Sequence, residues 1–155
     1  LDQKAYLAIR RQYNAEPLLI SLERDLPSGL IRVGITDVDL CLPVLSYVYG
    51  QAMVGGRAAL VSIHRLGGGE RHRVSRDLMY ERLAKVVCHE AAHALGLEHC
   101  RQPGCLMRFS AGLENLDVLD LHFCPACRVE LVRRRRELEQ AEAGSQEDRP
   151  PPGNI

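Results

Sequence analysis

The sequence predicts an α/β domain with a strand-bearing upper lobe, one long helix and a loop-rich lower lobe. Three observations predict it. Residues 30–38 alternate and residues 57–66 run apolar, as strands do. Residues 75–95 carry an apolar stripe at helical spacing that ends on a glycine. Four of the six cysteines then fall between Cys100 and Cys127, a segment poor in regular pattern. Strands that come before the long helix, joined by one long crossover, give an α/β upper lobe and a loop-rich lower lobe.

The elements follow in order. A helix is expected over about 15–25, where Leu18, Leu19 and Leu22 share a face and Pro17 suits a first turn. Leu26-Pro27-Ser28-Gly29 stops it. Ile31, Val33 and Ile35 mark the first strand, residues 37–43 read as a turn region, and Leu45 to Tyr49 as a short strand. Arg57 to Leu66 is the strongest strand, and it is taken as the one bordering a cleft, where an edge could pair with an extended peptide. The alternative is an ordinary internal strand. Ser75 is a good N-cap for the long helix and Asp77 suits its dipole. Leu78, Met79, Leu83, Val86 and Val87 form its buried face, and Gly96 suits the left-handed C-terminal position. A last helix is expected from Cys124 to about Ala143. Residues 144–155, polar with three prolines, read as a disordered tail. Residues 1–143 are read as one domain, the upper lobe over about 1–96 and the lower over about 97–143.

Charge excludes some function classes. Twenty Lys and Arg balance twenty Asp and Glu. A neutral chain gives no electrostatic case for nucleic acid, and no apolar run approaches the roughly 20 residues of a membrane helix. The chain begins at Leu1 and not Met, which leaves a preceding targeting segment or strand open. A monomer acting on a peptide or protein is expected.

Residues 89–99 read His-Glu-Ala-Ala-His-Ala-Leu-Gly-Leu-Glu-His. Positions i and i+4 lie on one helix face, about 5–6 Å apart, so His89 and His93 can offer two nitrogens to one zinc. Gly96 can turn the chain back to present His99. Three protein ligands leave one position for water, the pattern of a catalytic site. Glu90, beside His89, is placed to take a proton from that water as general base. The expected reaction is hydrolysis of a peptide bond.

Cys100, Cys105, Cys124 and Cys127 form two close pairs, a spacing like that of a zinc ribbon. Four thiolates would saturate a metal, so this second zinc would be structural. Two disulfides or a redox pair are the other readings. Two zinc ions per chain are expected.

These residues resemble the archaemetzincin family of the metzincin clan. HExxHxxGxxH is the clan's motif, Cys100 follows the third histidine directly, and Cys105-Leu106-Met107 and Phe123-Cys124-Pro125-Ala126-Cys127 match the family's further pattern. Residues 12–15 and 35–40 also look family-like. The resemblance implies a metzincin-like fold, with a twisted, mostly parallel sheet, an antiparallel edge strand, an active-site helix and a small zinc-tied C-terminal lobe. It implies that Met107 forms the Met-turn, that the four cysteines hold a structural zinc, and that the setting is cytoplasmic. Activity of limited specificity, or like that of an aminopeptidase, is expected. A DNA-repair-linked HExxH peptidase and a non-catalytic, zinc-stabilised peptide-binding module are the alternatives.

Other residues take plainer readings. Cys41 and Cys88 are expected as small buried hydrophobes, and His64, His72 and His122 as non-ligands. Glu98 is expected as a solvated side chain, and Arg133 to Arg136 as a solvated helix face.

Overall fold

The computed structural model describes residues 2–68 and 74–147. The described residues form seven strands: β1 (Tyr6–Leu7), β2 (Gln12–Asn14), β3 (Arg32–Thr36), β4 (Leu40–Leu42), β5 (Leu45–Val48), β6 (Gly50–Ala52) and β7 (Ala58–Ser62). Four α-helices accompany them: α1 (Ala15–Glu23), α2 (Arg76–Ala94), α3 (Leu113–Asp117) and α4 (Pro125–Glu147). No helix among the described residues is long and apolar enough to cross a membrane.

The strands form two mixed sheets, in the orders β1-β2-β4-β5 and β3-β7-β6. β2 with β4 and β3 with β7 are parallel, while β1–β2, β4–β5 and β6–β7 are antiparallel. The α/β class and the antiparallel edge strand are therefore present, but the parallel majority is not. The reason is connection length. The links at 8–11, 43–44 and 53–57 are too short for the crossover a parallel pair needs, so each makes a hairpin.

β7 is not the edge strand expected of residues 57–66. It lies between β3 and β6, and all five of its residues are buried. An unbroken apolar strand suits a sheet covered on both faces, and here α1 and α2 both pack against it. The cleft-side edge is β6. The turn region at 37–43 holds β4, whose Leu40 and Cys41 are fully buried; Cys88, by contrast, is only partly buried.

Both main helices begin as their sequences dictate. The Asn14 side chain accepts a hydrogen bond from the Glu16 N–H, and the Ser75 hydroxyl accepts one from the Leu78 N–H at 3.2 Å. α2 stops at Gly96, whose φ of +102° lies in the region that glycine alone adopts without strain. The Leu97 N–H returns to the Ala92 carbonyl at 2.9 Å and closes the turn.

Among the described residues, four apolar clusters hold the layers, one of them small and made of Ala52, Ala59 and Ala94. Leu18, Leu19, Leu40 and Leu60 join α1 to the sheets. Val61, Leu66, Val86 and Leu116 join the sheet, α2 and α3. Ala92, Leu97, Cys105, Met107 and Cys124 form the lower core. α4 continues through residues 144–147, past the expected start of the tail at 144; residues 148–155 lie outside the described ones. Its Arg133, Arg134 and Arg135 are laced to Glu130, Glu137 and Glu139 at i, i+3 and i, i+4 spacing, as a solvated face should be.

Candidate active site

Two turns of α2 and the reversal at Gly96 bring three imidazoles to one point. The His93 Nε2 lies 3.1 Å from that of His89 and 3.3 Å from that of His99. On His89 and His93 the other ring nitrogen is committed elsewhere. His89 Nδ1 is 2.8 Å from the Leu106 carbonyl and His93 Nδ1 is 2.6 Å from the Leu97 carbonyl. A carbonyl only accepts, so each Nδ1 carries the proton and each Nε2 presents a lone pair.

Burial keeps the His89 and His93 rings neutral. It pulls the His89 pKa down to about 4 and lowers that of His93 as well. Lone pairs facing one another at such distances repel unless a cation sits among them. Four-coordinate zinc with nitrogen donors at about 2.0–2.1 Å requires donor separations of roughly 3.3–3.4 Å, close to those found here. The donor set fits the ion, and the carbonyl partners are those that orient metal-bound histidines.

Glu90 lines the same cavity. Burial raises its carboxyl pKa to about 8, which places it in the range of a group that exchanges protons near neutrality. The cavity, of about 850 Å³, lies between residues 45–54 above and residues 106–119 below, with the three histidines and Glu90 at its back. Met107 is fully buried below them, in the lower core with Ala92 and Cys105. His64 and His122 are apart from this group: His64 Nδ1 is 3.1 Å from the Asp37 carbonyl, and His122 is 3.8 Å from Asp120. His72 lies outside the described residues.

The four thiols Cys100, Cys105, Cys124 and Cys127 also converge, each sulfur within 4.8 Å of the others. Cys100 and Cys124 Sγ are 3.8 Å apart, against roughly 3.8 Å expected between thiolates 2.3 Å from one tetrahedral zinc. Backbone N–H groups donate to these sulfurs, from Gln102 to Cys100 and from Cys124 to Cys105. The Cys127 N–H does the same for Cys124 and lowers its pKa to about 7, while burial raises Cys105 and Cys127. Donation from backbone to sulfur favours thiolates over thiols, and no pair is joined as a disulfide.

The model of peptidase family M54 matches residues 4–133. The chain belongs to peptidase family M54. It is a zinc metallopeptidase, and a peptide or protein is its substrate. Relatives in the family include the archaemetzincin of Natronomonas pharaonis, 36% identical over 132 residues, which are 83% of this chain and 76% of that protein. The archaemetzincin of Thermococcus kodakarensis is 39% identical over 83% of this chain and 71% of its own length. The crystal structure of the Methanopyrus kandleri archaemetzincin matches with a TM-score of 0.79 at 36% identity, over 88% of this chain and 73% of that one. The malonate complex of the Archaeoglobus fulgidus archaemetzincin matches with a TM-score of 0.71 at 35% identity, over 83% and 75%.

Sequence reasoning overlooked three features of this family M54 site. Gly50 on β6 packs against Glu90. Tyr49 reaches α3. Arg82 and Lys85 are buried on α2. Only the last had a signal, two cations three residues apart beside the apolar stripe of α2.

Proposed function

We propose that His89, His93 and His99 hold a catalytic zinc and that Glu90 is the general base of peptide-bond hydrolysis. The convergence of three Nε2 lone pairs, each backed where it is buried by a carbonyl on Nδ1, is the observation that carries the reading. When bound, zinc supplies Lewis acidity that activates water and polarises the scissile carbonyl. The Glu90 carboxylate takes a proton from the attacking water and delivers it to the leaving nitrogen as the C–N bond breaks. β6, the edge strand beside Glu90, offers unpaired backbone groups to an extended substrate.

Cys100, Cys105, Cys124 and Cys127 hold a second, structural zinc that ties the chain after α2 to the start of α4, with Met107 as the Met-turn beneath the first site. Six free cysteines suit a reducing, cytoplasmic setting. The activity is that of a monomer with limited specificity or of aminopeptidase type.

The test is Glu90→Ala, with zinc content and cleavage of a proteome-derived peptide library measured together. The variant is expected to keep both zinc ions and lose hydrolysis. Turnover equal to that of the parent protein would remove Glu90 as the base.

A further inference from the structure

One end of the cavity is fixed mainly by backbone hydrogen bonds. The Gly55 N–H, in the turn after β6, donates to the His93 carbonyl at 2.9 Å, and the Arg57 N–H donates to the Ala94 carbonyl at 3.2 Å. The C-terminal end of β6 is thereby tied to the last turn of α2. Gly96 then reverses the chain, and the Leu97 carbonyl comes back to within 2.6 Å of His93 Nδ1. Glu98 and His99 follow, both exposed. Val54, after β6, and Glu98, after the reversal, both line the cavity. Tyr49, on the N-terminal side of β6, meets Leu113 instead.

The charge in this cavity is one-sided. Among the described residues no lysine or arginine lines it, and Glu90 and Glu98 are its two carboxylates. They differ in kind. Glu90 is 9% exposed and packs against Gly50. Glu98 is exposed, and among the described residues its carboxylate enters no ion pair or hydrogen bond. An uncompensated charge beside a concave site focuses its field into that site. A ligand that covers the carboxylate without bringing a cation leaves it desolvated and unpaired, which weakens binding. An ammonium or guanidinium instead gains a charge-assisted hydrogen bond.

An extended chain lying along β6 brings either its amino side or its carboxyl side to the end where Glu98 stands. A carboxylate there meets a like charge, and an amino terminus or a basic side chain meets an opposite one. We propose that Glu98 is a specificity-determining residue that receives a cationic group on the N-terminal side of the scissile bond, either an α-ammonium or a lysine or arginine side chain. The inference deepens the hydrolase reading and rests on it for the place of that bond.

The test uses dipeptidyl hydroxamates, in which the hydroxamate stands where the scissile amide would and the peptide lies on its N-terminal side. One alanyl-alanine scaffold is made with a free amine, N-acetylated, N-succinylated, and N-acetylated with lysine as the first residue. Calorimetric affinity for the zinc-loaded protein is expected to be about 5–10-fold tighter for the free-amine and lysyl probes than for the acetylated one, and weakest for the succinylated one. Glu98→Gln should remove that advantage and Glu98→Lys should invert the ranking, with zinc content equal to that of the parent protein in both. An advantage confined to the free-amine probe assigns an amino terminus, and one confined to the lysyl probe a basic side chain; either supports Glu98. A succinylated probe that binds as tightly as the cationic ones, or a ranking that both substitutions leave unmoved, overturns the proposal. The ranking should persist in Glu90→Ala, so parent-level hydrolysis by that variant with an intact ranking removes the base and leaves Glu98 standing. If no hydroxamate binds, carbon NMR of the glutamate-labelled protein decides, with alaninamide, Nα-acetyl-lysinamide and N-acetylalaninamide as ligands. A shift of the Glu98 carboxyl signal with either cation and none with the neutral amide supports the proposal, and an unmoved signal overturns it.

Discussion

Gly50 and Glu90 are packed so closely that a methyl group on Gly50 would stand 2.6 Å from Glu90 Cγ and 3.0 Å from its Oε1. The edge strand thus leaves room for the proposed base only because it has no side chain there. Gly50→Ala is expected to turn the carboxylate aside and lower kcat/KM by roughly 10–100-fold. Zinc content should hold, because none of the three histidines is touched. Steady-state kinetics paired with metal analysis checks this, and an unchanged kcat/KM would show that the close packing has no bearing on the base.

Gly96 sets the path from His93 to His99. Its φ of +102° is one that side chains rarely adopt. Gly96→Ala is expected to cost about 1–3 kcal/mol of stability. It should also weaken zinc retention at the histidine site, because the strain relaxes by moving the chain toward His99. Denaturant titration and competition with a chelator read the two effects separately.

Arg82 holds the Asp117 carboxyl below the usual carboxylate range through its hydrogen bonds. A depressed folded-state pKa contributes stability that is present above the unfolded value, about 3.9, and lost as pH falls through the folded one. Asp117→Asn is therefore expected to cost about 1–3 kcal/mol at pH 7, since it leaves a buried guanidinium without its partner. The gap to the parent protein should close below about pH 3.9. Urea titrations of both metal-free proteins across pH give the curve, and a gap that widens in acid would contradict the linkage.

The four thiols should act on folding more than on turnover. Cys124→Ser is expected to lower bound zinc from two ions to one and to drop the Tm by on the order of 10 °C or more. Chelation of the parent protein should first release the histidine-bound ion and only later unfold the lower lobe. Metal analysis beside thermal unfolding tests both steps; an unaltered Tm would assign the cysteines another role.

Much of this site was legible because it is local. His89 and His93 are one helical turn apart, Gly96 must end that helix, and His99 follows within three residues. The cap at Ser75 and the stripe along α2 belong to the same short range. The short strands were harder to read. β1, β2, β4 and β6 have two or three residues each, and no period can be read from so few. The edge position went to β6 rather than β7 because pairing partners come from distant segments.

The order of residues alone determined that one helix and its terminal glycine would gather three imidazoles, and that two cysteine pairs would be near enough to share an ion. Helical geometry and a left-handed turn act over a few residues, so spacing suffices for the first. Only the tertiary structure decided that Gly50 would rest on Glu90 and that Tyr49, Arg82 and Lys85 would meet α3. Those relationships join residues about 30 to 65 positions apart. Such contacts arise from packing and desolvation, which no local pattern encodes.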